Sequence, residues 1–256
     1  MQRVSHHGRA TTYRRSARTD EGPGVLCIHG SGGNAGVWKA QTRLADRTPL
    51  TAVNLSDHGE SGSLVSQAGY ETLSGYAADV VAVAEETGDR VLCGNSLGAA
   101  VAMLVALDRD LDLDGLVLAG AGARLPVLDD LLVWLKTDFE RAIEFLHGPD
   151  RLFHDPEDEL VEVSEAAMRE TGQAITTRDF QTCHAFDVRE RLGTIDVPTL
   201  AVVGEHDKLT PPHYHESLAD AIPNCEVATV DDAAHLAMLE QPAAFNDAVD
   251  AFLDRR

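Results

Sequence analysis

The residues with most chemistry to offer are a serine framed by glycines, a histidine far downstream and an aspartate between them. Ser96 lies in Gly94-Asn95-Ser96-Leu97-Gly98, directly after the apolar run Arg90–Cys93 and before the alanine-rich stretch Ala99–Leu107. A G-x-S-x-G turn between a strand and a helix forces its serine into a strained backbone conformation and exposes the hydroxyl at a helix N-terminus. There the backbone N–H of Leu97 can face an oxyanion as it develops on a substrate.

A hydroxyl nucleophile needs a base, and the base needs a carboxylate to fix its tautomer and stabilise its cation. Among the 11 histidines, His235 stands in Asp231-Asp232-Ala233-Ala234-His235, a loop after the run Glu226–Val230. The carboxylate candidate is Asp207 in Gly204-Glu205-His206-Asp207, after the run Thr199–Val203. Each of the three thus follows a strand-like run, in the chain order Ser, Asp, His. Glu205 and His206 flank Asp207, but their side chains diverge, so one of the three is expected to reach His235. Asp231 and Asp232 stand too close in sequence to orient the ring.

The elements that would position these residues are legible as short apolar runs alternating with longer amphipathic ones, the pattern of βαβ units around a parallel sheet. The runs Val25–Ile28, Leu50–Val53, Arg90–Cys93, Leu116–Ala119, Thr199–Val203 and Glu226–Val230 each read as a strand buried on both faces. Helical spacing covers 36–46, 72–87, 97–108, 212–221 and 242–254. The rhythm breaks over 124–187, where helical segments 127–147, 157–171 and 177–187 follow one another. An all-helical insertion between two strands suggests a cap over the carboxyl edge of the sheet, where open α/β sheets bind ligands. The expected division is therefore a core of 1–123 and 188–256 with a cap of 124–187.

Composition narrows the function classes. Against 42 Asp+Glu stand 21 Lys+Arg, a formal charge of −21 that would repel phosphate backbones and anionic lipid. Neither a nucleic-acid nor a membrane partner is expected, and the expected partner is a small-molecule substrate. Three Lys, 25 Asp and a pI near 4.7 suggest a halophilic source. Residues 1–20 are basic but lack the apolar segment of a secretory leader, which points to the cytoplasm. Cys27, Cys93, Cys183 and Cys225 show neither a disulfide framework nor metal-finger spacing. His213 and His215, two apart on a helix, do not share a face and read as solvated. With no convergent ligand cluster in the sequence, no metal and no cofactor is expected.

Five segments in order, HGSGG at 29–33, DHGESG at 57–62, GNSLG at 94–98, GEHDKLTPP at 204–212 and AAHLAMLEQP at 233–242, make the chain resemble the α/β-hydrolase superfamily from about residue 10 onward. The resemblance implies an α/β-hydrolase fold, a mostly parallel sheet flanked by helices with a helical cap insertion. It also implies nucleophile Ser96, acid Asp207, base His235 and an oxyanion hole from the backbone N–H groups of Ser31 and Leu97. The segment Gly30-Ser31-Gly32-Gly33-Asn34-Ala35 also satisfies a dinucleotide fingerprint, yet the acidic residue expected about 20 positions on is missing. His29, His58 and Ser61 are expected to brace loops.

Serine at the elbow, rather than the aspartate of dehalogenases and epoxide hydrolases, makes acyl transfer the natural reaction. The expected function is a carboxylesterase-like acyl hydrolase of a small to medium, partly apolar substrate. Enol-lactone or C–C bond hydrolysis, a perhydrolase-like side activity and a non-catalytic ligand sensor on the same fold remain alternatives. Phe180 and Phe186 are expected to pack the cap onto the core, and Arg124 to form a surface salt bridge. Leu128, Leu131, Leu132, Trp134, Leu135, Phe139 and Phe145 would supply an apolar lid.

Overall fold

The computed structural model describes residues 1–255. The chain opens with the hairpin β1 (Gln2–His6) and β2 (Arg9–Ser16), followed by β3 (Val25–Ile28) and β4 (Leu50–Asn54). Then come α1 (Tyr70–Thr87), β5 (Val91–Asn95), α2 (Leu97–Asp108) and β6 (Gly115–Ala119). Four helices intervene before the sheet resumes: α3 (Asp129–Thr137), α4 (Phe139–Leu146), α5 (Asp158–Thr171) and α6 (Gln173–Ala185). The chain closes with β7 (Thr199–Gly204), α7 (Pro212–Ala221), β8 (Cys225–Val230), α8 (Ala237–Glu240) and α9 (Pro242–Leu253). The eight strands form one sheet in the order β1-β2-β4-β3-β5-β6-β7-β8, antiparallel at β1/β2 and β2/β4 and parallel elsewhere.

Strand residues alternate between two buried layers, which is why the central strands read as unbroken apolar runs. Leu26, Ile28, Leu92, Leu116 and Leu118 face the layer containing α1 and α2, while Val25, Cys27, Val91, Cys93 and Val117 face the layer containing Trp38, Phe245 and Phe252. β8 departs from the expectation of burial on both faces. It forms the sheet edge, and Val227 on it is exposed.

Three further expectations need correction. The hairpin β1/β2 lies within residues 1–20, where the apolar runs mark no strand; its strands carry mostly polar residues, and its turn needs the positive φ of His7 (46°) and Gly8 (78°), the type I′ requirement. Segment 36–46 is not one α-helix but two 3₁₀ turns, Ala35–Trp38 and Ala40–Asp46. Ala35, Trp38, Gln41 and Leu44 are all buried, and a spacing of three is the period of a 3₁₀-helix. The segment 127–147 is broken at Asp138, whose carboxylate caps α4 by accepting from the Arg141 N–H, and α5 and α6 are parted by Gly172 at φ 85°.

Between β6 and β7 the helices form their own apolar cluster around Leu131, Leu135, Ile143, Leu146, Phe153 and Met168. Among the described residues no helix is long and apolar enough to cross a membrane.

Candidate active site

Everything at the site hangs from the carboxyl ends of parallel strands. Ser96 follows β5 and caps α2 with φ 55° and ψ −115°, a region that costs a non-glycine residue of order 1–3 kcal/mol. The turn closes because glycines flank it. A Cβ on Gly94 would stand 2.2 Å from the Gly98 carbonyl oxygen, and one on Gly98 would stand 2.2 Å from that of Ile28. The N–H groups of Ala99 and Ala100 both donate to the Ser96 carbonyl, and the Ser96 N–H donates to Ala119, so backbone bonds fix the elbow and the serine hydroxyl is not used as a helix cap.

Asp207 follows β7 and His235 follows β8. The two meet through His235 Nδ1 and Asp207 Oδ2 at 2.9 Å, both buried. Asp207 Oδ1 accepts from the Leu209 and Thr210 N–H groups at 2.7 and 2.8 Å, and Oδ2 also accepts from the Thr210 hydroxyl at 2.8 Å. With that hydroxyl hydrogen spent on the carboxylate, Thr210 Oγ1 can only accept at its 3.2 Å contact with His235 Nδ1. The ring proton therefore sits on Nδ1, and Nε2 is left as the basic nitrogen. Burial pushes the Asp207 carboxyl up, but the charge and hydrogen bond of His235 and the Thr210 bonds outweigh it and hold the group below its ordinary value. Glu205 is exposed and His206 half-buried, so of the three neighbouring candidates Asp207 reaches the ring.

Two further contacts support His235. Asn95 donates from Nδ2 to the His235 carbonyl at 3.2 Å, and a Cβ on Gly120 would stand 2.9 Å from His235 Cε1 and Nδ1. Thr210 and Asn95, which lie within the GEHDKLTPP and GNSLG segments, and Gly120, directly after β6, thus help to hold the ring in place.

The loop 29–33 follows β3 and crosses directly over the elbow, where a Cβ on Gly30 would come within 3.3 Å of the Ser96 Cβ. His29 is buried beneath it. Its Nε2 accepts from the Leu55 N–H, which leaves Nδ1 to donate to the Gly30 carbonyl at 2.9 Å. Burial, and after it the neighbouring His58, lowers its pKa to about 3. Ser61 donates to the Asn54 carbonyl and accepts from the Thr12 N–H. Both residues therefore brace loops.

Ser31, Ser96 and His235 line one cavity of about 710 Å³. Its walls are largely apolar, with Leu125, Val127, Leu131, Phe145, Leu152 and Leu160 among them, and Phe180 joins them instead of packing into the core as Phe186 does. The Lys, Arg, Asp and Glu side chains on the wall are Lys208 and Glu170 alone. Arg124 is exposed and is not on this wall; it bridges Asp187 through the backbone.

His215 is not solvated as its spacing suggested. It is fully buried, accepts the Ala121 N–H at Nε2 over 2.8 Å, and burial lowers its pKa to about 4. His213 is exposed. The expectation that no metal-ligand cluster converges also needs revision, because among the described residues Asp150, His154 and His206 come together. Two of the three are already engaged, however. Asp150 gives one oxygen to His154 Nδ1 at 2.5 Å and the other to Lys208 Nζ at 2.6 Å. The two imidazoles stack at 3.6 Å and 13°, so their lone pairs lie in parallel planes and do not converge on a point. This is the geometry of an ion-pair network joining the 148–155 loop to the loop that carries Asp207.

Comparison with known proteins agrees with the architecture. Residues 25–248 match the model of the Alpha/beta hydrolase family. A putative carbamate hydrolase RutD from Azorhizobium caulinodans is 29% identical over 88% of this chain and 89% of its own length. A pimeloyl-[acyl-carrier protein] methyl ester esterase from Neisseria meningitidis is also 29% identical, over 94% of this chain and 81% of its own length. The solved structure of a thermophilic esterase superposes with a TM-score of 0.86 at 31% identity, covering 99% of this chain and 97% of that one. A serine elbow, a β7 acid loop and a β8 histidine loop on an eight-stranded sheet, together with a match across most of the chain, make this protein an enzyme of the alpha/beta hydrolase family.

Proposed function

We propose that the protein hydrolyses esters of neutral, apolar acyl groups through an acyl-enzyme on Ser96. His235 takes the serine proton and later returns it to the leaving alcohol, Asp207 holds the imidazole in its Nδ1–H tautomer, and the N–H groups of Ser31 and Leu97 stabilise the oxyanion. The observation that carries this reading is the Asp207–His235 pair lining the same cavity as a serine held at φ 55°. The 124–187 insertion acts as the cap, since its helices and loops together supply most of the apolar wall.

The wall also favours an uncharged substrate. Lys208 is its sole Lys or Arg, and that ammonium is already paired with Asp150, so a substrate carboxylate would be desolvated without a partner. This supports plain esters over the carboxylate-bearing enol-lactones and ring-cleavage products.

The test is a ladder of p-nitrophenyl esters from acetate to palmitate. Each methylene buried against the wall contributes about 0.8 kcal/mol, so kcat/KM should rise by up to about fourfold per carbon until the cavity is full and then fall. A flat ladder, or a preference for succinate half-esters over butyrate, overturns the substrate assignment.

We further propose that the acidic shell is a solvation device that works best in salt. The 42 Asp+Glu outnumber the 21 Lys+Arg two to one, which leaves a large excess of negative charge. Screening their repulsion should stabilise the fold. The unfolding midpoint is expected to rise by about 5 °C or more between 0.1 and 3 M KCl, the shift that about 2 kcal/mol gives a chain of this size. A midpoint that stays flat defeats the idea and leaves the triad untouched.

A further inference from the structure

The loop carrying Ser31 is held largely from the cap. Gly32, one residue further on, has both of its backbone polar groups bound by cap side chains: its N–H donates to Asp179 Oδ2 at 3.3 Å, and its carbonyl accepts from the Thr171 hydroxyl at 3.0 Å. Ser31 Oγ lies 3.6 Å from Cys183 Sγ. A Cβ on Gly32, which sits at φ 70°, would approach Met168 Cγ to 3.1 Å and Thr176 Cγ2 to 3.4 Å. α5 and α6 thus enclose a glycine-rich segment that has few constraints of its own.

Asp179 is rigid enough to act as the post. It is fully buried on α6, and its carboxylate accepts from the Tyr76 hydroxyl at 2.7 Å and from His58 Nε2 at 2.9 Å. The other ring nitrogen of His58 faces the Ser56 carbonyl at 2.9 Å, so both nitrogens must carry hydrogen and the pair is an imidazolium–carboxylate. Burial alone would neutralise both groups, but each holds the other charged: Asp179 below and His58 above its ordinary value. Arg178 donates to the Tyr76 oxygen and pairs with Asp57, which extends the chain of bonds to the 57–62 turn. A cap residue is therefore fixed to the core at two points and presents its remaining acceptor capacity to the oxyanion loop.

We propose that Asp179, assisted by Thr171, is a positioning residue for the oxyanion hole, so that seating the cap and aiming the Ser31 N–H are one event. This rests on the serine-hydrolase reading above. An oxyanion donor works within a few tenths of an ångström, at 2.7–3.1 Å from where the charge develops. With the cap lifted, the Gly30–Gly33 segment loses both Gly32 bonds, and the nucleophile would stand ready without its electrostatic partner. Hydrolysis would then wait for closure over a bound acyl chain.

Steady-state kinetics of Asp179→Asn and Thr171→Val on the best ester test this, together with inhibition by a trifluoromethyl ketone bearing the same chain. That ketone adds Ser96 Oγ to its carbonyl carbon and places the resulting oxyanion in the hole. In Asp179→Asn, kcat should fall about 10- to 100-fold, part of the loss that deleting an oxyanion donor brings, and in Thr171→Val by at least about threefold. KM should stay within about threefold, and the ketone's Ki should weaken in step with kcat/KM. A purely structural role would instead raise KM or lower the unfolding midpoint and leave kcat near wild type, and that result overturns the proposal. Should Asp179→Asn lose its cooperative unfolding transition, Thr171→Val at its half-buried site decides by the same criteria. Ser96→Ala run alongside separates the two failures. Activity surviving that substitution overturns the serine reading and this proposal with it, whereas activity lost there with wild-type kcat in Asp179→Asn overturns the proposal alone.

Discussion

Replacing Ser96 with alanine is expected to lower kcat by about 10⁴- to 10⁶-fold while leaving the unfolding midpoint within a few degrees of wild type. The loss is large because nucleophile and base act as a unit: without the hydroxyl, His235 has no oxygen to deprotonate and no acyl-enzyme forms. What remains is orientation in the cavity and the oxyanion donors acting on attack by water. The fold should be indifferent. Ser96 makes no side-chain cap bond to α2, its backbone bonds to Ala99, Ala100 and Ala119 survive, and alanine carries the same φ of 55° at similar cost. Ester hydrolysis by wild type and variant, with a thermal melt of each, checks both halves. A folded variant that keeps more than about 1% of the wild-type rate would remove Ser96 from the mechanism.

That a substitution at one position can be given so definite an outcome reflects how much of this site is local. The elbow is five consecutive residues whose glycines are required by contacts under 2.5 Å to backbone, so its geometry is written in contiguous sequence. Asp207 and His235 are legible for a related reason, since each lies just past an apolar run and the sheet brings strand ends together. What could not be read depends on convergence across long separations. Asp179 meets His58, 121 positions away, and Gly32, 147 away, and nothing in its own segment distinguishes a buried ion pair from a solvated charge. His215 is of the same kind, since its ring meets the Ala121 N–H, 94 positions away, a contact that the spacing on its own helix does not signal. The hairpin β1/β2 carries no such signal, since its mostly polar strands lack the apolar runs that mark the others.

The acidity of the chain takes on a second meaning once burial is known. Among the described residues the buried carboxylates are Asp79, Asp89, Asp179 and Asp207. Each is satisfied: Asp79 by Arg9, Thr11 and Ser56, Asp89 by Arg15 and Thr87, Asp179 by His58 and Tyr76, and Asp207 by His235, Thr210 and Leu209. Asp79 and Asp89 tie the N-terminal hairpin to α1 and to the start of β5, whereas Asp179 holds the Gly32 N–H and Asp207 the His235 ring. The surface carboxylates are interchangeable in this sense, while losing any of these four strands a donor in the interior, a cost of about 1–3 kcal/mol or more.

Asp207→Asn is expected to lower kcat by about 10⁴-fold through the histidine and not through the fold. The amide is the same size as the carboxylate, and its oxygen will stay where the Leu209 and Thr210 N–H groups point, at the Oδ1 position, because a donor there would face two donors. The NH₂ group then replaces Oδ2, opposite the Thr210 hydroxyl and His235 Nδ1. Thr210 can rotate to accept, but His235 must present a lone pair at Nδ1, which drives its proton to Nε2. The nitrogen that should take the serine proton is then already protonated, and the imidazolium that forms in the transition state has lost the negative charge beside it. KM should change little, since Asp207 is not on the cavity wall. Stability should fall by no more than about 1–3 kcal/mol, the price of one charge-assisted hydrogen bond made neutral. The discriminating comparison is Glu205→Gln, exposed next door, which should retain wild-type kcat. A loss of less than tenfold in Asp207→Asn with a large loss in Glu205→Gln would move the acid role to Glu205 and require the β7 loop to rearrange during turnover.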